Sequence, residues 1–273
     1  MYPYSIIFGI DLYTIFLCVG IIAALVTFRI FSDRMKMYWK LQNFTIITAV
    51  LSVVGGYGSA VLFQGFYNFL ADPSKGFVLN NRTGSTFYGG LIGGTATFLL
   101  IYFGIGALIF KNKIHSKSFF DVANIAAAAI AVAHAFGRLG CLMAGCCHGA
   151  KTEAWYGVYF VSYRVKAVPI QLFESIFLFA LFGLFCYRII RKRSCNLPLY
   201  MILYGTWRFC VEFLRGDDRG ATIVSFLTPS QLIAVLMVLG SVALFFGERK
   251  LEKKQKLTID EESDKKEEIK NEG

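Results

Sequence analysis

Residues 134–149 read HAFGRLGCLMAGCCHG, an imidazole, a guanidinium and three thiols at the end of an otherwise apolar, helix-length run. His134 and Arg138 are four apart and share one helix face. The stretch before them, 122–133, is almost uncharged. Both side chains therefore lie at or near a membrane boundary, where an unpartnered charge costs several kcal/mol. In YGTWRFCVEFLRGDD, Tyr204, Arg208, Glu212 and Arg215 fall on one helical stripe. Arg138 and Arg208 together make a phosphate clamp, since guanidinium binds oxyanions through a bidentate fork. The other reading of the stripe is an Arg208–Glu212 ion pair that locks helix packing, although Arg215 leaves the stripe net positive. In PIQLFE, Gln171 and Glu174 lie three apart, just after the helix-starting Pro169. Glu174 is either a partner for an arginine or a carboxylate favoured by the helix macrodipole. YGGLIGG, residues 88–94, supplies small residues, Gly89 and Gly90 among them, for close helix approach or for a ligand beside the backbone. Tyr88 beside them needs a hydroxyl partner if buried.

The elements that hold these residues follow from composition. Hydrophobic residues are 56% of the chain, charged residues 17%, and the mean hydropathy is +0.55, which excludes an ordinary soluble globule. A helix of about 20 apolar residues spans a bilayer. Seven segments qualify: roughly 12–28, 44–63, 89–110, 122–142, 171–190, 197–214 and 227–246. The expected fold is an all-α, polytopic integral membrane protein. Most Lys and Arg fall in alternate connections: Arg29, Arg34, Lys36 and Lys40; Lys111, Lys113 and Lys117; Arg188, Arg191, Lys192 and Arg193; and the tail after Gly247. The smaller set is Lys75, Arg82, Arg138, Lys151, Arg164, Lys166, Arg215 and Arg219. This alternation predicts the N-terminus outside and the C-terminus in the cytoplasm. The first apolar run has no basic flank or small-residue cleavage site and reads as a retained helix.

The net charge of +10 does not point to nucleic acid. After Gly247 the tail carries eight basic and nine acidic residues, a solvated segment expected to be disordered or a frayed helix. The remaining positive excess is juxtamembrane, where it sets topology and attracts anionic headgroups. The expected organisation is a seven-helix membrane catalytic domain over 1–247 and a cytoplasmic tail over 248–273. Cys18, Cys186 and Cys210 read as small core residues and Cys195 as a reduced loop thiol. Cys141, Cys146 and Cys147, next to His148, do not pair as structural zinc ligands do. Packing or a close helix turn is the expected role of these three, with a disulfide as the alternative.

These motifs resemble the prolipoprotein diacylglyceryl transferases of bacteria. The likeness runs through Tyr13 in the first span, the loop with Tyr67, Asn68, Asp72 and Pro73, then FYGGLIGG, GRLGC, PIQLFE, YGTWRFCVEFLR and LTPSQL. It implies transfer of a diacylglyceryl group from phosphatidylglycerol to the lipobox cysteine thiol of a prolipoprotein, releasing glycerol phosphate, in the bacterial cytoplasmic membrane. Carried over by position, the family's arginines match Arg138 and Arg208. Its tyrosine, glutamate and motif glycine match Tyr204, Glu212 and Gly149. With Tyr13, Gly89, Gly90, Gln171, Glu174 and Arg215 these make up the expected site.

Three positions depart from the family pattern. Tyr88 stands where the best-known members have the histidine of His-Gly-Gly, Cys141 where they have an asparagine, and Cys146 where they have a glutamate. That histidine is the proposed base for the acceptor thiol, so His134 and Tyr88 become the two candidates here. An imidazole near neutrality suits proton removal from a thiol; the equal alternative for His134 is a structural hydrogen bond to a neighbouring helix, with metal ligation behind both. A tyrosine hydroxyl, ordinarily titrating near ~10, is the poorer base. The chemistry needs the leaving phosphate held, the thiol deprotonated and water excluded, and no metal or other cofactor. The alternatives are a paralogous enzyme with another acceptor and a non-catalytic lipid-binding or transport protein.

Overall fold

A computed structural model describes residues 5–7, 9–80, 83–215 and 227–271; Arg82 and Arg219, two of the basic residues used for topology, lie outside them. A short antiparallel hairpin, β1 (Ser5–Ile7) and β2 (Ile10–Asp11), leads into α1 (Leu12–Arg34). Asp11 caps that helix, its carboxylate accepting from the Thr14 N–H at 2.9 Å. There follow α2 (Trp39–Ala71) and α3 (Phe87–Leu99), which passes through a π-helical stretch (Leu100–Ile105) into α4 (Gly106–Ile109). After α5 (Ile114–Lys117) and α6 (Phe119–Ala144) comes a second hairpin, β3 (Val158–Phe160) and β4 (Val165–Ala167). The chain ends with α7 (Ile170–Ile190), α8 (Asn196–Glu212) and α9 (Pro229–Asn271).

Helix dominates, as the composition demands, and the two hairpins are small additions. Among the described residues six helical stretches are long and apolar enough to cross a membrane: Leu12–Arg34, Trp39–Ala71, Tyr88–Ile109, Lys111–Ala144, Ile170–Ile190 and Pro229–Lys253. The sixth expected span, 197–214, corresponds to α8, which has 17 residues. At 1.5 Å per residue that is about 25 Å, short of the ~30 Å hydrocarbon thickness. Its C-terminal turns hold Arg208 and Glu212, polar groups that shorten its apolar stretch.

The chain divides into two compact units, Met1–Phe28 with Ala123–Gly273, and Arg29–Val122. In the Arg29–Val122 unit, glycines bring α2 and α3 together. A Cβ on Gly56 would meet the Gly90 carbonyl oxygen at 3.0 Å and the Gly94 Cα at 3.3 Å, and one on Gly89 would meet Phe63 Cβ at 2.7 Å. The start of α3 is tied to α2 through Ala60, whose carbonyl accepts from the Thr86 N–H (3.1 Å) and hydroxyl (3.3 Å). Close helix approach therefore accounts for the glycines of YGGLIGG, in the way small residues act in membrane helix pairs.

In the other unit, α6 packs on α1, where a Cβ on Gly20 would meet the Ala133 carbonyl at 2.9 Å. Ser175 of α7 donates to the Ala135 carbonyl of α6 at 3.0 Å. Phe177 stacks on Trp207 of α8 with centroids 4.3 Å apart, and Gly205 lies against Ala234 of α9. Glu248, the first residue of the charged tail, is buried. Its carboxylate accepts from Asn124 Nδ2 at 2.6 Å and from the Cys195 N–H at 2.9 Å, while Asn124 accepts from the Asn196 N–H at 2.6 Å. Glu248 is thus tied to α6 and to the start of α8, and α9 continues as helix to Asn271.

The α2–α3 contact gives a direct test. Gly56→Leu should destabilise the purified protein by about 1–3 kcal/mol, the usual cost of overpacking, read as a lowered thermal transition in detergent. Gly58→Ala, whose Cβ would meet nothing within 4 Å, should leave the transition unchanged or slightly raised.

Candidate active site

The site is built around a carboxylate. Glu174, one turn into α7, is wholly buried, and its Oε1 takes two partners: Arg138 Nη2 of α6 at 3.1 Å and the hydroxyl of Tyr204 of α8, which donates at 2.7 Å. A buried carboxylate is tolerated only when paired and hydrogen-bonded in this manner. Of the two roles open to Glu174, the partner of an arginine is the one seen.

His134, one turn before Arg138 on α6, lies against the same groups. Its Nε2 is 3.4 Å from the Tyr204 hydroxyl and 4.0 Å from Glu174 Oε1, and its Nδ1 is 3.2 Å from the hydroxyl of Tyr200. The two tyrosines stack in parallel with centroids 5.7 Å apart, and Tyr204 meets the imidazole edge-on at 4.7 Å. The network assigns the protons. Tyr204 gives its hydrogen to Glu174, so its oxygen accepts from His134 Nε2–H, which leaves Nδ1 to accept from Tyr200. Both ring nitrogens are thus engaged, at distances at or beyond the long end for hydrogen bonds.

The second arginine has its own carboxylate. Arg208 Nη2 is 2.9 Å from Glu212 Oε2 and donates to Ser230 Oγ of α9 at 2.8 Å. Glu212 also accepts from the Thr228 hydroxyl at 3.0 Å, and Thr228 is joined to Gln231 by two further bonds, its N–H donating to Gln231 Oε1 (3.1 Å) and its hydroxyl accepting from the Gln231 N–H (3.2 Å). The expected ion pair is present, and it fastens α8 to α9. Neither arginine is exhausted by its partner. Arg138 Nε and Arg208 Nη1 are buried and make no hydrogen bond among the described residues. Arg208 is close enough for its charge to act on both His134 and Glu174.

The other expected site residues divide. Gln171 is fully buried and its Nε2 donates to the Cys146 carbonyl, fastening the turn after α6. Gly149 donates its N–H to the Val168 carbonyl at 2.9 Å, and a Cβ there would meet Ile170 Cδ1 at 2.7 Å, so packing occupies the space beside it. Tyr13 of α1 covers Gly140, within 3.2 Å of where a Cβ would stand. Arg215 sits just past α8, its N–H donating to the Glu212 carbonyl at 3.2 Å. Tyr88, Gly89 and Gly90 belong to the Arg29–Val122 unit, at the start of α3.

The seven cysteines are all free thiols. Cys146 closes the end of α6, its N–H donating to the Cys141 carbonyl at 3.2 Å, so the close-turn reading describes this segment. The Cys147 thiol is held below the usual thiol range by hydrogen bonds from Cys141 and Cys146, helped by the positive charges of Arg215 and Arg138. Among the described residues no group of three or more His, Cys, Asp or Glu is arranged to hold a metal ion. Sequence reasoning missed Tyr200 as a site residue. The signal was available, since Tyr200 extends the Tyr204–Arg208–Glu212 stripe one turn earlier.

Removing one partner of a buried pair leaves the other charge uncompensated. Glu174→Gln should therefore destabilise the protein by about 3–5 kcal/mol, measured as loss of thermal stability in detergent. Tyr204→Phe, which keeps the ion pair, should cost far less.

A family model described as prolipoprotein diacylglyceryl transferase matches residues 3–247. The chain is 34% identical over 250 residues to phosphatidylglycerol-prolipoprotein diacylglyceryl transferase 2 of Clostridium perfringens (strain 13 / Type A), covering 88% of this chain and 92% of that protein. It is 30% identical over 251 residues to the similarly named enzyme of Clostridium tetani, covering 88% and 94%. The corresponding protein of Dehalococcoides mccartyi (strain ATCC BAA-2266 / KCTC 15142 / 195) is 28% identical over 254 residues, covering 88% and 90%.

Proposed function

From the premise that the chain belongs to the prolipoprotein diacylglyceryl transferase family, a family of multi-pass membrane transferases, we propose that it moves a diacylglyceryl group from phosphatidylglycerol to the lipobox cysteine of a prolipoprotein. The acceptor thiolate attacks the glyceryl carbon that bears the phosphate. A sulfur–carbon bond forms, the carbon–oxygen bond breaks, and its electron pair leaves with glycerol phosphate. The membrane is the bacterial cytoplasmic membrane, with the end of α6 that carries Arg138 facing outward and the tail in the cytoplasm, as the distribution of Lys and Arg supports. The lipid enters sideways from the outer leaflet, because its acyl chains never leave hydrocarbon.

The observation that carries this reading is the pair of arginines, each fixed by its own carboxylate and each with a buried nitrogen unused. A guanidinium held from one side presents its remaining donors in a fixed direction, which suits a phosphate whose charge grows as the bond breaks. Arg138 and Arg208 hold the leaving phosphate, with Arg215 adding positive charge near the end of α8. Glu174 and Glu212 orient the two clamps, and Tyr204 links the first clamp to His134. The low dielectric of the span interior strengthens each contact and keeps water from competing with the thiol.

His134 or Tyr88 removes the thiol proton. For His134 this requires the contact between its Nδ1, the unprotonated nitrogen, and the Tyr200 hydroxyl to give way, which the 3.2 Å separation makes inexpensive, while Nε2–H stays on Tyr204. The released proton then has a path toward Glu174 through Tyr204.

Two measurements test the reading. In vesicles containing phosphatidylglycerol and a lipobox peptide, Arg138→Ala and Arg208→Ala should abolish transfer while the protein still inserts, and Lys replacements should rescue poorly because the fork is lost. Normal turnover by Arg208→Ala would remove the clamp from the mechanism. With His134 as base, His134→Gln should slow the chemical step roughly 10²- to 10⁴-fold, less at high pH where the thiol ionises unaided, and Tyr88→Phe should be mild. The reverse pattern assigns the base to Tyr88.

A further inference from the structure

Between α6 and α7 the chain makes the β3–β4 hairpin, whose two faces differ sharply. The inner face is a small core of its own. Phe160 and Ala167 are wholly buried against Leu142 and Met143 of α6 and Leu172 of α7. This packing fixes the hairpin's inner face on the ends of two membrane helices and leaves the depth of its outer face to the surface it meets. The strands are in register with Tyr159 opposite Lys166 and Phe160 opposite Val165, and Arg164 turns the chain at a φ of 50°. Alternation along β3 therefore sends Tyr159 outward as Phe160 goes inward.

The outer face is aromatic and basic. Trp155 is 93% exposed, with Tyr156, Tyr159 and Tyr163 at 42%, 55% and 57%. Over residues 150–168 the charged side chains are Lys151, Arg164 and Lys166 against Glu153 alone. Lys166 Nζ donates to the Glu153 backbone carbonyl at 3.2 Å, which leaves the positive excess in place. Trp and Tyr with Lys and Arg are the side chains that settle at the headgroup level of a bilayer, ring toward the acyl chains and polar group toward water. The positive balance selects an anionic surface.

We propose that residues 150–168 form a membrane-surface anchor, seated in the headgroup layer of anionic phospholipid beside the end of α6 that bears Arg138. The anchor concentrates anionic lipid next to the arginine clamp. Its existence is independent of the transfer reaction, so its test does not use turnover.

The chain has three tryptophans. The full-length protein carrying Trp39→Phe and Trp207→Phe, reconstituted in vesicles, makes Trp155 the sole tryptophan emitter. In mixed phosphatidylglycerol and phosphatidylcholine vesicles its emission should be shielded from acrylamide. Lipid brominated high on its acyl chains should quench it more than lipid brominated near the chain ends. The ratio of shielded to accessible indole should fall about fivefold for each basic residue of Lys151, Arg164 and Lys166 changed to Gln, the effect of one charge near an anionic surface. It should also fall in phosphatidylcholine alone. If the double replacement disturbs the fold, the difference spectrum between the unaltered protein and Trp155→Phe isolates the same indole. Acrylamide quenching as strong as that of free indole in the mixed vesicles would overturn the proposal. So would equal shielding in both lipid compositions, or shielding that appears only on adding a lipobox polypeptide, which would make the hairpin a protein-docking surface.

Discussion

A carboxylate that has lost all contact with solvent is the constraint on which the site depends. Glu174 is buried in α7, and moving such a group out of water is expensive unless charge and hydrogen bonds replace the lost hydration. The replacements come from two other helices, Arg138 on α6 and Tyr204 on α8. Three helices are thereby held at one rotation each, because turning any of them would strand a charge in a region of low dielectric. His134 and Tyr200 extend the same network. The Arg208–Glu212 pair with Ser230 and Thr228 repeats the arrangement between α8 and α9.

The same constraint explains how two buried arginines are kept in a folded membrane protein. Two free arginines at this depth would repel each other and lack hydration. Two arginines each offset by a carboxylate are close to neutral as a set, yet each retains a nitrogen that its partner does not use. Under the proposed clamp a phosphate would take those donors without breaking the pairs, and the hydrogen bonds that build the site would also preorganise it for charge on a leaving group.

Two of the departures from the family pattern, Cys141 and Cys146, have a structural account, as do the matching Gly149 and the candidate base His134. At the end of α6, Cys141 and Cys146 form a tight turn held by backbone hydrogen bonding and by Gln171. Gly149 is required by the side chain of Ile170, and a ligand is not needed to explain it. His134 is held between two tyrosines. From one sequence an imidazole four residues from an arginine reads equally as a base and as a hydrogen-bonding group between helices, and in three dimensions both its nitrogens face tyrosine hydroxyls of α8.

Features that depend on one helix at a time are legible along the chain. Apolar run lengths located the membrane segments, and the 3.6-residue period put Tyr204, Arg208 and Glu212 on one stripe, so the Arg208–Glu212 pair was legible at i, i+4. The glycines of YGGLIGG foretold a close helix contact for the same reason: the absence of a side chain is a local fact. Tertiary structure decided everything that depends on the rotation of one helix against another. Glu174 had two arginines open to it, and only the docking of α6, α7 and α8 gave it Arg138 and Tyr204. Tyr200 lay on the legible stripe, but nothing in α8 reveals that an imidazole of α6 will face it. The burial of Glu248 likewise comes from neighbouring helices, whose groups decide which polar side chains can be taken from water. Periodicity fixes a side chain's direction within its own helix, and packing alone decides what it meets there.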